Sequence, residues 1–110
     1  KIRLIYAMTR ASNRCAPRLW ITETNWPLLN TQPYTPNSGL PRSTVDEVTQ
    51  ARYLTEYYRI AYRTGCVEQV YWWQLVNPGY GLVDHREGIM RKMPSFNAFA
   101  DLFKDALLSE

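Results

Sequence analysis

Two strand-like segments separated by a helical pattern constrain this chain more than any other feature. The first, "LWITET" at Leu19–Thr24, is apolar and rich in β-formers, and it is framed by Pro17 and Pro27. The second is "VEQVYWWQL" at residues 67–75. Between them Val48, Ala51, Leu54, Tyr58 and Ala61 recur at helical spacing. Thr44 and Glu47 have the spacing of a capping box, and Gly65 supplies a stop. After the second strand, Pro94 suits a first helical turn. Phe96, Phe99, Ala100, Phe103 and Leu107 then form an apolar stripe that predicts a helix to about Leu108. Residues 1–12, with Ile2, Ile5, Tyr6 and Met8, read as the end of a further helix that exits through "SNRCAP".

The order is therefore helix–strand–helix–strand–helix, an α/β pattern with parallel strands and right-handed crossovers. Two parallel strands alone leave open edges and uncovered faces. The expectation is one incomplete domain over residues 1–110, either part of a larger α/β structure or one of several assembling copies. The sequence opens at Lys1 inside the apolar run "KIRLIYAM", without an initiator Met, which suggests an upstream segment.

Composition removes several function classes. Thirteen basic and ten acidic residues give a net charge of +3, too mild to argue for nucleic acid. Arg10, Arg14 and Arg18 are four apart, but Pro17 breaks any helix that would align them. No apolar run is long enough to span a membrane. A single histidine, His85, and no CxxC leave metal ligation and a nucleophilic triad without support. His85 reads as an exposed loop residue. The two cysteines, Cys15 and Cys66, each precede a strand. Adjacent parallel strands bring them to the same end, as a disulfide or as two buried thiols. A bridge would point to an exported protein.

Glu23 is the residue that stands out. It is a carboxylate near the end of an otherwise apolar strand. Side chains alternate along a strand, so Ile21 and Leu19 are expected beneath Glu23 on one face. Trp20 and Thr22 are then expected on the other, against helices. A carboxylate at that end reads either as a catalytic group or as one half of a salt bridge with Arg42 or Arg86. After Pro27 comes a proline-rich loop, "PLLNTQPYTPNSGLPRS", long enough to serve a site. Tyr34 within it is a candidate lid or subsite wall.

"RLWITETNWPL" resembles the seventh strand of the clan A retaining glycoside hydrolases, whose (β/α)8 TIM barrel carries two catalytic glutamates. "VYWWQLVNPGYGLVD" resembles the eighth strand of that barrel, and "RKMPSFNAFADLF" its closing helix. The resemblance implies that the chain is the C-terminal part of such a barrel. It implies that Glu23 is the nucleophile and that a tryptophan of the next strand stacks on the sugar. Trp73 is favoured for that stacking, with Trp72 as the alternative, and a cis peptide is implied after it. Asn25 and Trp26 either touch substrate or merely start the loop. Asn77 is a candidate polar contact, with Tyr80 and Asp84 on the same loop, although Asp84 suits a local turn better. The implied reaction is double displacement on a carbohydrate, with no metal or organic cofactor. The family's acid/base glutamate lies in an Asn-Glu pair on the fourth strand, and no such pair occurs here. The remainder of the barrel is thus an implied partner. The alternatives are a non-catalytic carbohydrate-binding remnant, a self-assembling partial barrel, or another reaction on the same fold, such as a carbohydrate lyase.

Overall fold

A computed structural model describes residues 18–28 and 44–108. The helix expected over residues 1–12, Cys15, Tyr34 and most of the proline-rich loop lie outside the described residues. Strand β1 is Leu19–Thr24, helix α1 is Glu47–Thr64, and strand β2 is Val67–Trp72. A short β3 (Val83–Asp84) and β4 (Arg91–Lys92) follow, and helix α2 closes the chain at Pro94–Leu108. β1 and β2 pair in parallel, which makes this an α/β arrangement.

Helix α1 begins differently from expectation. Thr44 does not cap it. Val45 sits in an extended bridge with Leu28, and its N–H donates to Pro27 O at 2.9 Å. The helix therefore starts two residues later, and Asp46 is the N-cap, accepting from Thr49 N–H at 2.6 Å. Aspartate is a stronger cap than threonine, and Asp46 with Thr49 was the available signal. Glu47, freed from a capping role, forms a two-point ion pair with Arg91, both contacts at 2.8 Å. At the other end Gly65 adopts φ 69°, and its N–H returns to Tyr62 O. That left-handed conformation suits a residue without Cβ.

The core lies between the sheet, α1 and α2. Leu54, Ala61, Cys66 and Met93 are buried in it. Val48 was expected on the same stripe but is 73% exposed. At 100° per residue it lies about 120° from Leu54, and Gln50 takes the inward position instead. The Tyr58 hydroxyl donates to Val70 O at 3.1 Å, tying α1 to β2. Burial, with a smaller effect from Tyr57, pushes the Tyr58 phenol up to about 12, which keeps it a neutral donor. The Phe99 ring meets Tyr58 edge-on at 5.4 Å and joins α2 to α1. Cys66 is disulfide-bonded, and the chain's other cysteine is Cys15.

Two further expectations change. β2 stops at Trp72 rather than continuing through Leu75. β1 has already ended at Thr24, so residues 74–76 find other partners. Leu82 N donates to Gln74 O, Val83 N donates to Leu75 O, and Val76 bridges Val83. The loop after β2 also contains the antiparallel β3–β4 pair, which is too short to leave an alternation in the sequence.

Candidate functional site

The C-terminal ends of β1 and β2 lie side by side. Their register shifts between Ile21 and Thr24, where three steps along β1 match two along β2. This irregularity breaks the simple alternation expected for β1. Leu19 and Ile21 are half-buried, while Trp20, Thr22 and Glu23 are exposed. Trp20 and Thr22 are thus not covered by helices, and Glu23 does not share the environment of Ile21. Trp20 is 59% exposed and donates Nε1–H to Glu68 Oε2 at 2.8 Å.

Glu23 makes no ion pair with a described residue. Arg86, one of its two candidate partners, is held by Asp84, and Arg42 lies outside the described residues. Directly beside Glu23, Thr24 O accepts the N–H of Trp73 at 3.1 Å. The backbone therefore sets Glu23 and Trp73 at one rim.

The two adjacent tryptophans divide their roles. Trp73 is 46% exposed, and the Trp73–Gln74 peptide is cis, where the resemblance implies one. Trp72 turns inward. Its Nε1 donates to Tyr80 O at 3.2 Å, and its ring lies 6.1 Å from Trp26. Trp26 in turn meets Tyr53 at 5.3 Å and Tyr57 at 5.5 Å, both on α1. These rings build a half-buried aromatic cluster beneath the rim. Trp26 and Trp72 thus take part in this cluster, while the Trp73 ring stays exposed.

Asn25 and Asn77 are both engaged internally. Asn25 Nδ2 donates to Tyr80 O, and its Oδ1 accepts from Trp26 N and from Gln50 Nε2. Asn77 Oδ1 accepts from Gly79 N at 2.8 Å and Tyr80 N at 3.1 Å, closing the turn after β2. Gly81 completes that turn. Its N–H donates to Asn77 O at 2.7 Å, and a Cβ there would come within 2.6 Å of the same oxygen. Tyr80 is buried, and Tyr34 is not among the described residues. Gln50, Tyr53 and Tyr57 belong to this framework without having been singled out in the sequence. Tyr53 and Tyr57, four apart on one helix, were the readable signal.

Asp84 closes the loop as a structural carboxylate. It is only 5% exposed and accepts from Arg86 N, Nε and Nη2. Those hydrogen bonds hold its carboxyl below the usual aspartate range, against the opposing effect of burial. A lowered folded value means stability that is fully present above the unfolded pKa of about 3.9 and is lost as pH falls through the lower folded value. Thermal unfolding between pH 6 and pH 2, values chosen to span that range, is therefore expected to show a flatter acid limb in Asp84→Asn than in wild type. Equal acid limbs would remove Asp84 from this role.

His85 is exposed in the loop. Among the described residues there is no group of His, Cys, Asp and Glu able to hold a metal, and no helix long and apolar enough to cross a membrane. No protein-family model, curated protein or solved structure matches the chain.

Proposed function

We propose that the chain supplies the nucleophile and the sugar platform of a retaining glycoside hydrolase, as the seventh- and eighth-strand region of a (β/α)8 barrel. One observation carries this reading. The Thr24–Trp73 backbone hydrogen bond joins the residue after Glu23 to an exposed indole at the C-terminal ends of two parallel strands, and the exposed Glu23 carboxylate has no ion pair with a described residue. That end of a parallel α/β sheet is where such folds gather their chemistry.

Glu23 attacks the anomeric carbon, and a glycosyl ester forms as the leaving group departs. Ionised carboxylate is the state this step needs, since positive charge develops on the sugar. The Trp73 face offers a contact of about 1 kcal/mol to the apolar side of the ring. Water then cleaves the ester. The acid/base carboxyl, about 5 Å from the nucleophile in such sites, comes from the remainder of the barrel.

A panel of dinitrophenyl glycosides followed by proton NMR tests this reading with the full-length protein. The first-formed sugar is expected to keep its anomeric configuration. Inversion, or no hydrolysis across the panel, overturns it. A second reading, sugar binding without turnover, draws on the uncovered strand faces, where Trp20 and Tyr71 remain exposed. It corresponds to binding with no hydrolysis.

A further inference from the structure

Neither the Glu23 nor the Trp73 side chain has a hydrogen bond to a described residue, so their relative placement rests on their neighbours. Asn25, two residues after Glu23, donates to Tyr80 O. Trp72, directly before Trp73, donates to the same carbonyl. Gln50 reaches this clasp from the first turn of α1. Its Nε2 donates to Trp26 O at 2.9 Å and to Asn25 Oδ1 at 3.3 Å. The amide orientation is forced, because exchanging the Gln50 oxygen and nitrogen would set oxygen against two acceptors. Gln50 Oε1 is consequently buried with no partner among the described residues, and the residue as a whole is 0% exposed. An orphaned buried oxygen costs stability, and a methionine would remove it but would also take away the donor to Trp26 O and Asn25 Oδ1. The two costs oppose each other, so stability alone does not account for Gln50. Its grip on the backbone just beyond Glu23 explains it better.

We propose that Gln50 is a positioning residue for the Glu23–Trp73 pair, acting through Asn25 and the Trp26 carbonyl. This rests on the nucleophile role assigned to Glu23. The full-length wild type, Gln50→Met, Asn25→Asp, their double variant and Glu23→Gln are compared on dinitrophenyl glycosides, with thermal unfolding alongside. A displacement of about 1 Å costs about 10²-fold in rate. Gln50→Met is expected to lower kcat by about that factor per folded molecule, with KM little changed, while the unfolding midpoint moves only by the difference between losing the donor to Trp26 O and removing the orphaned Oε1. Asn25→Asp keeps its shape but loses the Nδ2 donor, and it is expected to lower kcat similarly. The double variant is expected to be no slower than the slower single variant, because both act along one path.

A purely packing role would lower the unfolding midpoint and leave kcat per folded molecule intact, which overturns the proposal. Wild-type kcat in Gln50→Met with Glu23→Gln inactive overturns the positioning role alone. Glu23→Gln as active as wild type, or no hydrolysis by the wild type, overturns the nucleophile assignment and this role with it. If Gln50→Met fails to fold, Asn25→Asp decides on the same readout, and an unchanged kcat there is fatal.

Discussion

Glu23→Gln is expected to cut hydrolysis of dinitrophenyl glycosides by about 10⁴-fold or more, the scale seen when a covalent nucleophile is removed. The amide has almost the shape of the carboxylate but cannot attack an anomeric carbon at a useful rate. The same change is expected to leave folding intact. Glu23 is exposed and makes no ion pair with a described residue, so its charge carries no described contact. Surface substitutions of this kind shift stability by about 0.5 kcal/mol or less. Loss of activity with an unchanged unfolding midpoint is thus the expected pair of results. Turnover within about tenfold of wild type would contradict the role, since that difference corresponds to only about 1.4 kcal/mol.

Leu54→Ala is expected to give the largest loss of stability among simple core truncations. Leu54 is 0% exposed on the inward face of α1. Removing its branch deletes transfer free energy and leaves a cavity, costing about 2–5 kcal/mol. For a chain of 110 residues that corresponds to a fall in the unfolding midpoint of order 10 °C. Val48→Ala, on the same helix but 73% exposed, serves as the control and is expected to change stability by about 0.5 kcal/mol or less. Equal effects at the two positions would contradict the placement of the core. Chemical denaturation of both variants reads the difference directly.

The parts of the fold visible in the sequence were those decided locally. The bounds of β1 follow from Pro17, Pro27 and the apolar run between them, and the end of α1 follows from Gly65. Helix α2 starts at Pro94 because a missing N–H is harmless in a first turn. Parallel pairing of β1 with β2 follows from the intervening helix. The features that escaped depend on partners distant in sequence. The register shift near Glu23 is set by how β1 meets β2, and alternation along one strand cannot reveal it. Gln50 is polar, so no apolar pattern marks it. Its inward position is legible only from acceptors at Asn25 and Trp26, 25 and 24 residues away. Asn77 carried an ambiguous signal, because a polar residue beside an aromatic strand suits a ligand contact and a turn equally well. Its Oδ1 accepts two N–H groups and closes the turn.

Glu23 emerged from the sequence as a strand-end acid, and it is exposed near the end of β1. The exposed carboxylate and the exposed Trp73 lie at the ends of β1 and β2, with the half-buried ring cluster of Trp26, Tyr53, Tyr57 and Trp72 beside them.

Covalent trapping tests the account most directly. The full-length protein is incubated with dinitrophenyl glycosides fluorinated at the carbon next to the anomeric centre, which slows release of the glycosyl ester. Intact mass and peptide mapping then locate any adduct. A single fluoroglycosyl group on the peptide containing Glu23, absent in Glu23→Gln, is the expected result. An adduct on another carboxylate, or turnover of the unfluorinated glycosides with no trapped ester at Glu23, would contradict the account.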